Sequence, residues 1–300
     1  MQTPRLKILV IGSSNTDLVV RTQRFPLAGE TILGEEFFMT PGGKGANQAV
    51  AAVRLGGDVT FVTKIGKDVF GKSTLTALER EGIGTENVIE TSEHPSGVAV
   101  ITVDSKGENT IVVASGANMQ LLPGDISSQL IDAADFILLQ LEIPLSTIEY
   151  VVSVANSRGT PVVLNPAPAA RLPDMILKGL FLITPNETEV ETLTGIRPAT
   201  LADLKSAANF LLRKGVKNVI ITLGERGAFL MNEDHALLVP SPLVTPVDTT
   251  AAGDVFNGAL ITALANGIDL PQACDYACRA AAISVTKRGA QTAAPYQNEL

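Results

Sequence analysis

The chain has 300 residues, 45% hydrophobic and 18% charged, with 26 glycines and no tryptophan, which is ample material for a packed core and predicts one large globular unit. Its net charge of −8 repels nucleic-acid phosphate and anionic membrane, so neither is an expected partner, and any anionic ligand needs a local site. The first apolar run, residues 8–11, is too brief for a signal segment and no run approaches a membrane span, so the expectation is a soluble cytoplasmic protein.

Runs rich in Val, Ile and Leu recur at 6–11, 59–63, 136–141, 161–164, 180–184 and 218–222, with helical patterns between most of them. Short, near-continuous apolar strands alternating with amphipathic helices predict a parallel sheet covered on both faces, a doubly wound α/β core. Two stretches break the rhythm, 17–38 and 97–114; in the second, 98–103 and 110–113 flank the polar turn Asp104-Ser105-Lys106-Gly107-Glu108 and predict a hairpin. Strands inserted between βα units do not easily join a parallel sheet, so they predict a small separate sheet, a lid or a dimer contact. The C-terminal third is Ala-rich, with long helices expected over 251–266 and 270–287. Cys274 and Cys278 stand four apart on the second of these and predict core packing. His94 and His235, the only histidines, fall near turns, which removes most support for a histidine triad or a multi-histidine metal site.

The motifs cluster where strands end. Gly12-Ser13-Ser14-Asn15-Thr16-Asp17 follows the first strand, on the side where open α/β sheets bind ligands, and Asn15 and Asp17 could read sugar hydroxyls; an Asx-type turn explains them equally well. Pro41-Gly42-Gly43-Lys44-Gly45-Ala46-Asn47 exposes backbone amides before a helix over 48–55, with Lys44 and Asn47 adding polar groups. Residues 66–73 fit the G-x-x-x-x-G-K-S pattern of a phosphate loop, but the strand 136–141 ends on Glu142 instead of the Asp such a site needs for magnesium. Glu142 is a candidate sugar or solvent contact. In Pro185-Asn186-Glu187-Thr188-Glu189, Asn186 and Glu189 stand three apart on one helix face and could hold waters of a magnesium ion. Thr222-Leu223-Gly224-Glu225-Arg226-Gly227 ends another strand in a loop tight enough to lie beside a nucleotide. Finally, Val247-Asp248-Thr249-Thr250-Ala251-Ala252-Gly253-Asp254 runs into a helix through small residues. Free N–H groups there suit a phosphate in transit, and Asp254 could accept a hydroxyl proton; an ordinary helix start is the competing explanation.

Taken together, the segments 42–49 and 248–254 resemble the two signatures of the ribokinase family of carbohydrate kinases, in order and spacing. Asn165-Pro166-Ala167-Pro168-Ala169, residues 184–189 and 222–224 add to the resemblance, which spans nearly the whole chain. It implies a Rossmann-like, mostly parallel sheet with a small β-sheet lid, a single catalytic domain over 1–300 with lid strands inserted at about 15–40 and 97–115, and a homodimer through the lid. It implies ATP-dependent phosphorylation of D-ribose on the 5-hydroxyl. Deoxyribose, a ketohexose or a nucleoside are the alternatives within the family, and a silent sugar sensor is the rival outside it. On the family pattern, Asn15, Thr16, Asp17, Gly43, Lys44, Gly45, Ala46, Asn47 and Glu142 contact the sugar. Asp254 is the base, and Ala251, Ala252, Gly253 and Asp254 form the anion hole. ATP lies near Asn186, Thr222 to Gly227, Gly253, Asp254 and Cys278, with Mg²⁺ held through water by Asn186 and Glu189. Potassium sits among Asp248, Thr250, Ser284, Lys287, Gly289 and Ala293. Ala293 stands where Ser is common in the family, which weakens one cation contact; Ala251 stands where the broader family usually has Gly, a replacement frequent among its ribokinase members.

Overall fold

Alternation along the first strand explains the layering. The structure, a computed structural model, describes residues 6–300. In β1 (Lys7–Ile11), Ile8 and Val10 join one buried cluster while Leu9 and Ile11 join another, because successive side chains leave opposite faces of a strand. The chain continues through β2 (Asn15–Arg21), β3 (Glu36–Gly42), α1 (Lys44–Arg54), β4 (Asp58–Gly66), α2 (Val69–Arg80), β5 (Val88–Thr91), β6 (Gly97–Val103) and β7 (Asn109–Ala114). There follow α3 (Ser128–Ala133), β8 (Phe136–Leu139), α4 (Leu145–Arg158), β9 (Val162–Leu164), α5 (Asp174–Leu177), β10 (Leu182–Ile183), α6 (Glu187–Thr194), α7 (Leu201–Arg213) and β11 (Asn218–Thr222). The last elements are β12 (Ala228–Met231), β13 (Ala236–Val239), α8 (Ala252–Ala265) and α9 (Leu270–Ser284). Among the described residues, no helix is long and apolar enough to cross a membrane.

Nine strands form the main sheet in the order β13-β12-β11-β10-β9-β8-β1-β4-β5. It is parallel from β5 to β11 and antiparallel only at the edge, where β12 and β13 return. The core on one face packs Ile8, Val10 and Phe61 against Ala49, Val50, Leu260, Ile261 and Ala277 of α1, α8 and α9. On the other, Leu9, Ile11 and Val62 meet Ile148, Val151 and Leu211 of α4 and α7. Gly258 lets α8 and α1 touch: a Cβ there would lie 2.7 Å from the Ala51 Cβ. Connections leave β1 towards β4 on one side and β8 towards β9 on the other, so the winding reverses between β1 and β8, where open α/β sheets form a ligand crevice.

The inserted strands make a separate sheet, β3-β2-β6-β7, in which β2 and β6 run parallel from Asn15↔Gly97 to Arg21↔Val103. One of its faces carries the row Met39-Leu18-Val100-Val112, of which Met39, Val100 and Val112 are exposed. Three of the boundaries that differ from the sequence expectation bear on the site. Helix α1 begins at Lys44 instead of 48, because the glycines before it close the loop earlier. Strand β8 stops at Leu139, freeing residues 140–142 for the crevice. Helix α9 ends at Ser284, so Lys287 lies in the turn beyond it.

Candidate active site

Loops after β1, β8, β9, β10 and β11 converge on one edge of the sheet, and glycine decides how closely they meet. A Cβ on Gly45 would sit 2.6 Å from the Ser13 N, so only glycine lets the first turn of α1 press on the loop after β1; the Ala46 N–H then donates to the Ser13 carbonyl at 2.9 Å. Gly43, at φ 88°, caps α1 in the left-handed region, and its own Cβ would lie 2.7 Å from the Asn15 N.

These contacts gather the sugar candidates. Asn15 and Asp17 share one face of β2, turned inward and buried, whereas alternation turns the Thr16 side chain to the face of Leu18. Thr16 is therefore not brought together with the other two. Asn118, which the sequence did not single out, holds Asn15: its Nδ2 donates to Asn15 Oδ1 at 2.7 Å, and its Oδ1 accepts the Ser14 N–H at 2.9 Å. Glu142 accepts from the Ser13 hydroxyl at 2.5 Å and the Lys44 N–H at 3.0 Å, which ties β1, α1 and β8 together. Burial, with Glu142 and Asp254 adding repulsion and Lys44 opposing, pushes the Asp17 carboxyl up to about 6. The Lys44 ammonium is held above its ordinary value chiefly by Asp254, then against its own burial by Glu142, Glu189 and Asp17.

Asp254 is buried in the first turn of α8 with both oxygens held: Oδ2 accepts Asn47 Nδ2 at 3.0 Å and Oδ1 accepts Gln48 Nε2 at 2.9 Å. Ala251 stands before the helix at φ 58°, alone among the described non-glycine residues in the left-handed region. In this pose the N–H groups of Gly253 and Asp254 donate to no protein acceptor among the described residues, and that of Ala252 makes only a long bond of 3.3 Å to the Thr249 carbonyl. A helix end with open amides beside a carboxylate can hold an anion and take a proton in one place.

The nucleotide candidates lie along the same edge. Asn186 pairs with Thr222 in an isolated parallel bridge, which brings the loops after β10 and β11 side by side. Leu223 is buried, Gly224, Glu225 and Arg226 are exposed, and Arg226 is tied to Glu187 at 2.6 Å. Gly227, at φ 90°, passes so close to β13 that a Cβ would meet the Val239 carbonyl at 2.0 Å. Cys278 is 3% exposed and packs in the core beside Cys274, both thiols free, as the core expectation had it.

The cation candidates fit in different ways. Asn186 and Glu189 form a capping box, with Asn186 N and Nδ2 donating to Glu189 at 2.8 and 3.0 Å and Glu189 N donating back at 2.9 Å; burial raises the Glu189 carboxyl. With these bonds made, the pair suits water-mediated contact with a hydrated ion more than direct ligation. Asp248 accepts N–H groups from Thr250 and Gly289, each at 2.9 Å; burial pushes its carboxyl up, but the hydrogen bonds from Thr250 and Gly289 bring it below the usual range. That joins the segment before α8 to the one after α9, so the potassium candidates lie along one junction. There Ser284 donates its hydroxyl to Ala281, Lys287 pairs with Glu299 at 2.5 Å, and Ala293 is buried with only its carbonyl to offer.

The phosphate-loop pattern at 66–73 is used otherwise. Asp68 caps α2 by accepting the Gly71 N–H at 2.8 Å and latches Ser96 through the Ser96 N–H and hydroxyl, both at 2.8 Å, while Lys72 and Ser73 face outward.

Residues 5–297 match the family described as pfkB family carbohydrate kinase. The chain belongs to that family. It is 43% identical to a ribokinase of Haemophilus influenzae, covering 98% of this chain and 97% of that one. It is 40% identical to a deoxyribokinase of Salmonella typhi, over 97% and 96% of the two chains. Its fold superposes on an Arabidopsis thaliana ribokinase complexed with ribose and ATP, with a TM-score of 0.93, 32% identity and 98% and 97% coverage. This carbohydrate kinase is thus an α/β protein with a large, mostly parallel sheet and a small second sheet, and a phosphotransferase acting on an alcohol group.

Proposed function

We infer that this kinase transfers the γ-phosphoryl group of ATP to the 5-hydroxyl of D-ribose, giving D-ribose 5-phosphate and ADP. The observation that carries the reading is Asp254 in one helical turn with open N–H groups, facing the inward cluster of Asn15, Asp17, Asn47 and Glu142. The ribokinase relative and the structure complexed with ribose and ATP support the same substrates.

In the proposed mechanism the sugar lies between the crevice and the small sheet, with Asn15, Asp17, the Gly43–Asn47 loop and Glu142 engaging its hydroxyls. ATP lies along Asn186 and residues 222–227, with Cys278 packing beneath. Asp254 orients the 5-hydroxyl and takes its proton late; a weak base suffices because phosphoryl transfer is largely dissociative. The amides of Ala251 to Asp254 meet the charge on the moving phosphoryl group where water is excluded. Magnesium, held through water by Asn186 and Glu189, would neutralise the phosphates. A potassium ion among oxygens of Asp248, Thr250, Ser284, Lys287, Gly289 and Ala293 would stiffen the strand-to-helix junction that sets those amides. The whole chain then acts as one catalytic unit with the small sheet as its lid, working as a homodimer through the lid. Its need for ATP makes the cytoplasm its proposed place of action.

A second reading, 2-deoxyribose as acceptor, has the deoxyribokinase relative behind it. ADP release against ribose, deoxyribose, fructose and adenosine, with and without potassium, separates the two: ribose-selective turnover is expected, and preference for deoxyribose would overturn the sugar assignment. Asp254→Ala is expected to lower turnover on ribose by about a hundredfold to ten-thousandfold, the range of general base catalysis. Full turnover in that protein would end the mechanism.

A further inference from the structure

Beneath the crevice runs a chain of side-chain amides that the chemistry above leaves without a role. Gln48 comes from α1, Gln140 from the turn after β8 and Asn165 from the turn after β9; the first two are fully buried and Asn165 is 6% exposed. Gln48 Nε2 donates to Asp254 Oδ1 at 2.9 Å and to Asn165 Oδ1 at 3.0 Å, while Gln140 Nε2 donates to Gln48 Oε1 at 2.6 Å. Asn165 is oriented in turn by donating to the Thr184 carbonyl at 3.2 Å. A primary amide can turn end for end unless its partners forbid it. Here the Gln140 donor claims the Gln48 oxygen, so the Gln48 NH₂ must face the carboxylate. Gln140 holds this pose although its own Oε1 is left buried without a partner, and Gly12 makes room for it, since a Cβ there would lie 2.0 Å from that oxygen.

We propose that Gln48, oriented by Gln140, is a positioning residue that locks the Asp254 carboxylate with an open lone pair aimed at the sugar hydroxyl. With Asn47 on Oδ2 and Gln48 on Oδ1, the carboxylate cannot rotate without breaking a charge-assisted hydrogen bond. Being fully buried, Gln48 touches no substrate and acts only through Asp254, so the proposal rests on Asp254 as the base. Its signature is a loss in kcat without a matching loss in affinity.

The experiment compares full-length Gln48→Met, Gln140→Met and Asp254→Asn proteins with the unaltered chain, measuring kcat and KM for ribose and for ATP with Mg²⁺. Gln48→Met is expected to lower kcat by about tenfold to a hundredfold, the effect of one hydrogen bond to a charged group, with both KM values within about threefold. Gln140→Met leaves every donor to Asp254 in place and frees only the orientation of Gln48; a kcat loss of about threefold to tenfold is expected. Full kcat in both methionine variants beside a silent Asp254→Asn would overturn the proposal and leave the base intact. A rise in ribose KM in step with the fall in kcat, as a loosened pocket would give, also overturns it. Turnover in Asp254→Asn removes the base reading itself, a separate failure. If Gln48→Met does not fold, Gln140→Met decides alone.

Discussion

At Asp17, burial and the neighbouring carboxylates work against ionisation, and Lys44 only partly offsets them. The native state therefore holds this proton more tightly than the unfolded chain does. Its contribution to stability is fully present below about pH 3.8 and is lost as pH rises through about 6. Asp17→Asn removes a cost on the order of 3 kcal/mol at pH 8 and nothing at pH 3.5; urea titrations at the two pH values check this, and equal effects at both would refute it. The proposed sugar contact runs the other way, because ribose hydroxyls would donate best to the ionised carboxylate. The ribose KM is expected to climb as pH falls below about 6, and a flat profile from pH 5 to 8 would show that Asp17 does not read the sugar. Ala251 stores strain of a different kind, since a Cβ at φ 58° costs roughly 1 kcal/mol or more. Ala251→Gly is expected to raise Tm by roughly 1–3 °C, and a fall of that size in a melting curve would contradict the strain.

Helix α1 joins the site to the C-terminal segment through Arg54 in its last turn. The guanidinium pairs with both oxygens of Glu81 at 2.7 and 2.6 Å, caps the carbonyls of Gln291 and Ala294 at 2.7 and 2.8 Å, and lies 4.8 Å from the Tyr296 ring centre. Arg54→Ala leaves Glu81 and two carbonyls without their partner, so a loss of about 3 kcal/mol in denaturant unfolding is expected. A loss below about 1 kcal/mol would mean that water replaces the arginine freely. Strand β11, at 218–222, lies where its apolar run predicts, and β1, β8 and β9 fall within it by a residue or two. Strands β12 and β13 were not legible: they are four residues each, and only the antiparallel pairing of β12 with β11 and of β13 with β12 distinguishes them from loop. The site was legible where glycine or a charge marked it, at 42–47, Glu142 and 248–254. Asn118 and Gln140 were not, because a polar residue beside a strand or in a turn looks solvated until folding buries it, while Ser13, Gln48 and Asn165 stood inside motifs without a role of their own. The one signal for Gln48 was its place within the segment 42–49.

At the scale of the molecule, the small sheet exposes an apolar face, the surface on which the proposed homodimer would close: Phe37, Met39, Val100 and Val112 stand 62%, 58%, 48% and 71% exposed. Val112→Asp, in the middle of that row, is expected to shift a dimer to monomer in sedimentation velocity, and an unchanged sedimentation coefficient would move the contact elsewhere. Strand β2 belongs to both faces. Asp17 looks inward to the crevice, where the sugar is proposed to lie, and Leu18, its neighbour, looks outward along the exposed row. With a second copy seated on that row, one ribbon of backbone is gripped from both sides, and stiffening either side spares the other part of the entropy of ordering it. Ribose should then strengthen self-association by the same factor by which self-association strengthens ribose binding, so that the sugar concentration in the cell also sets the fraction of paired molecules.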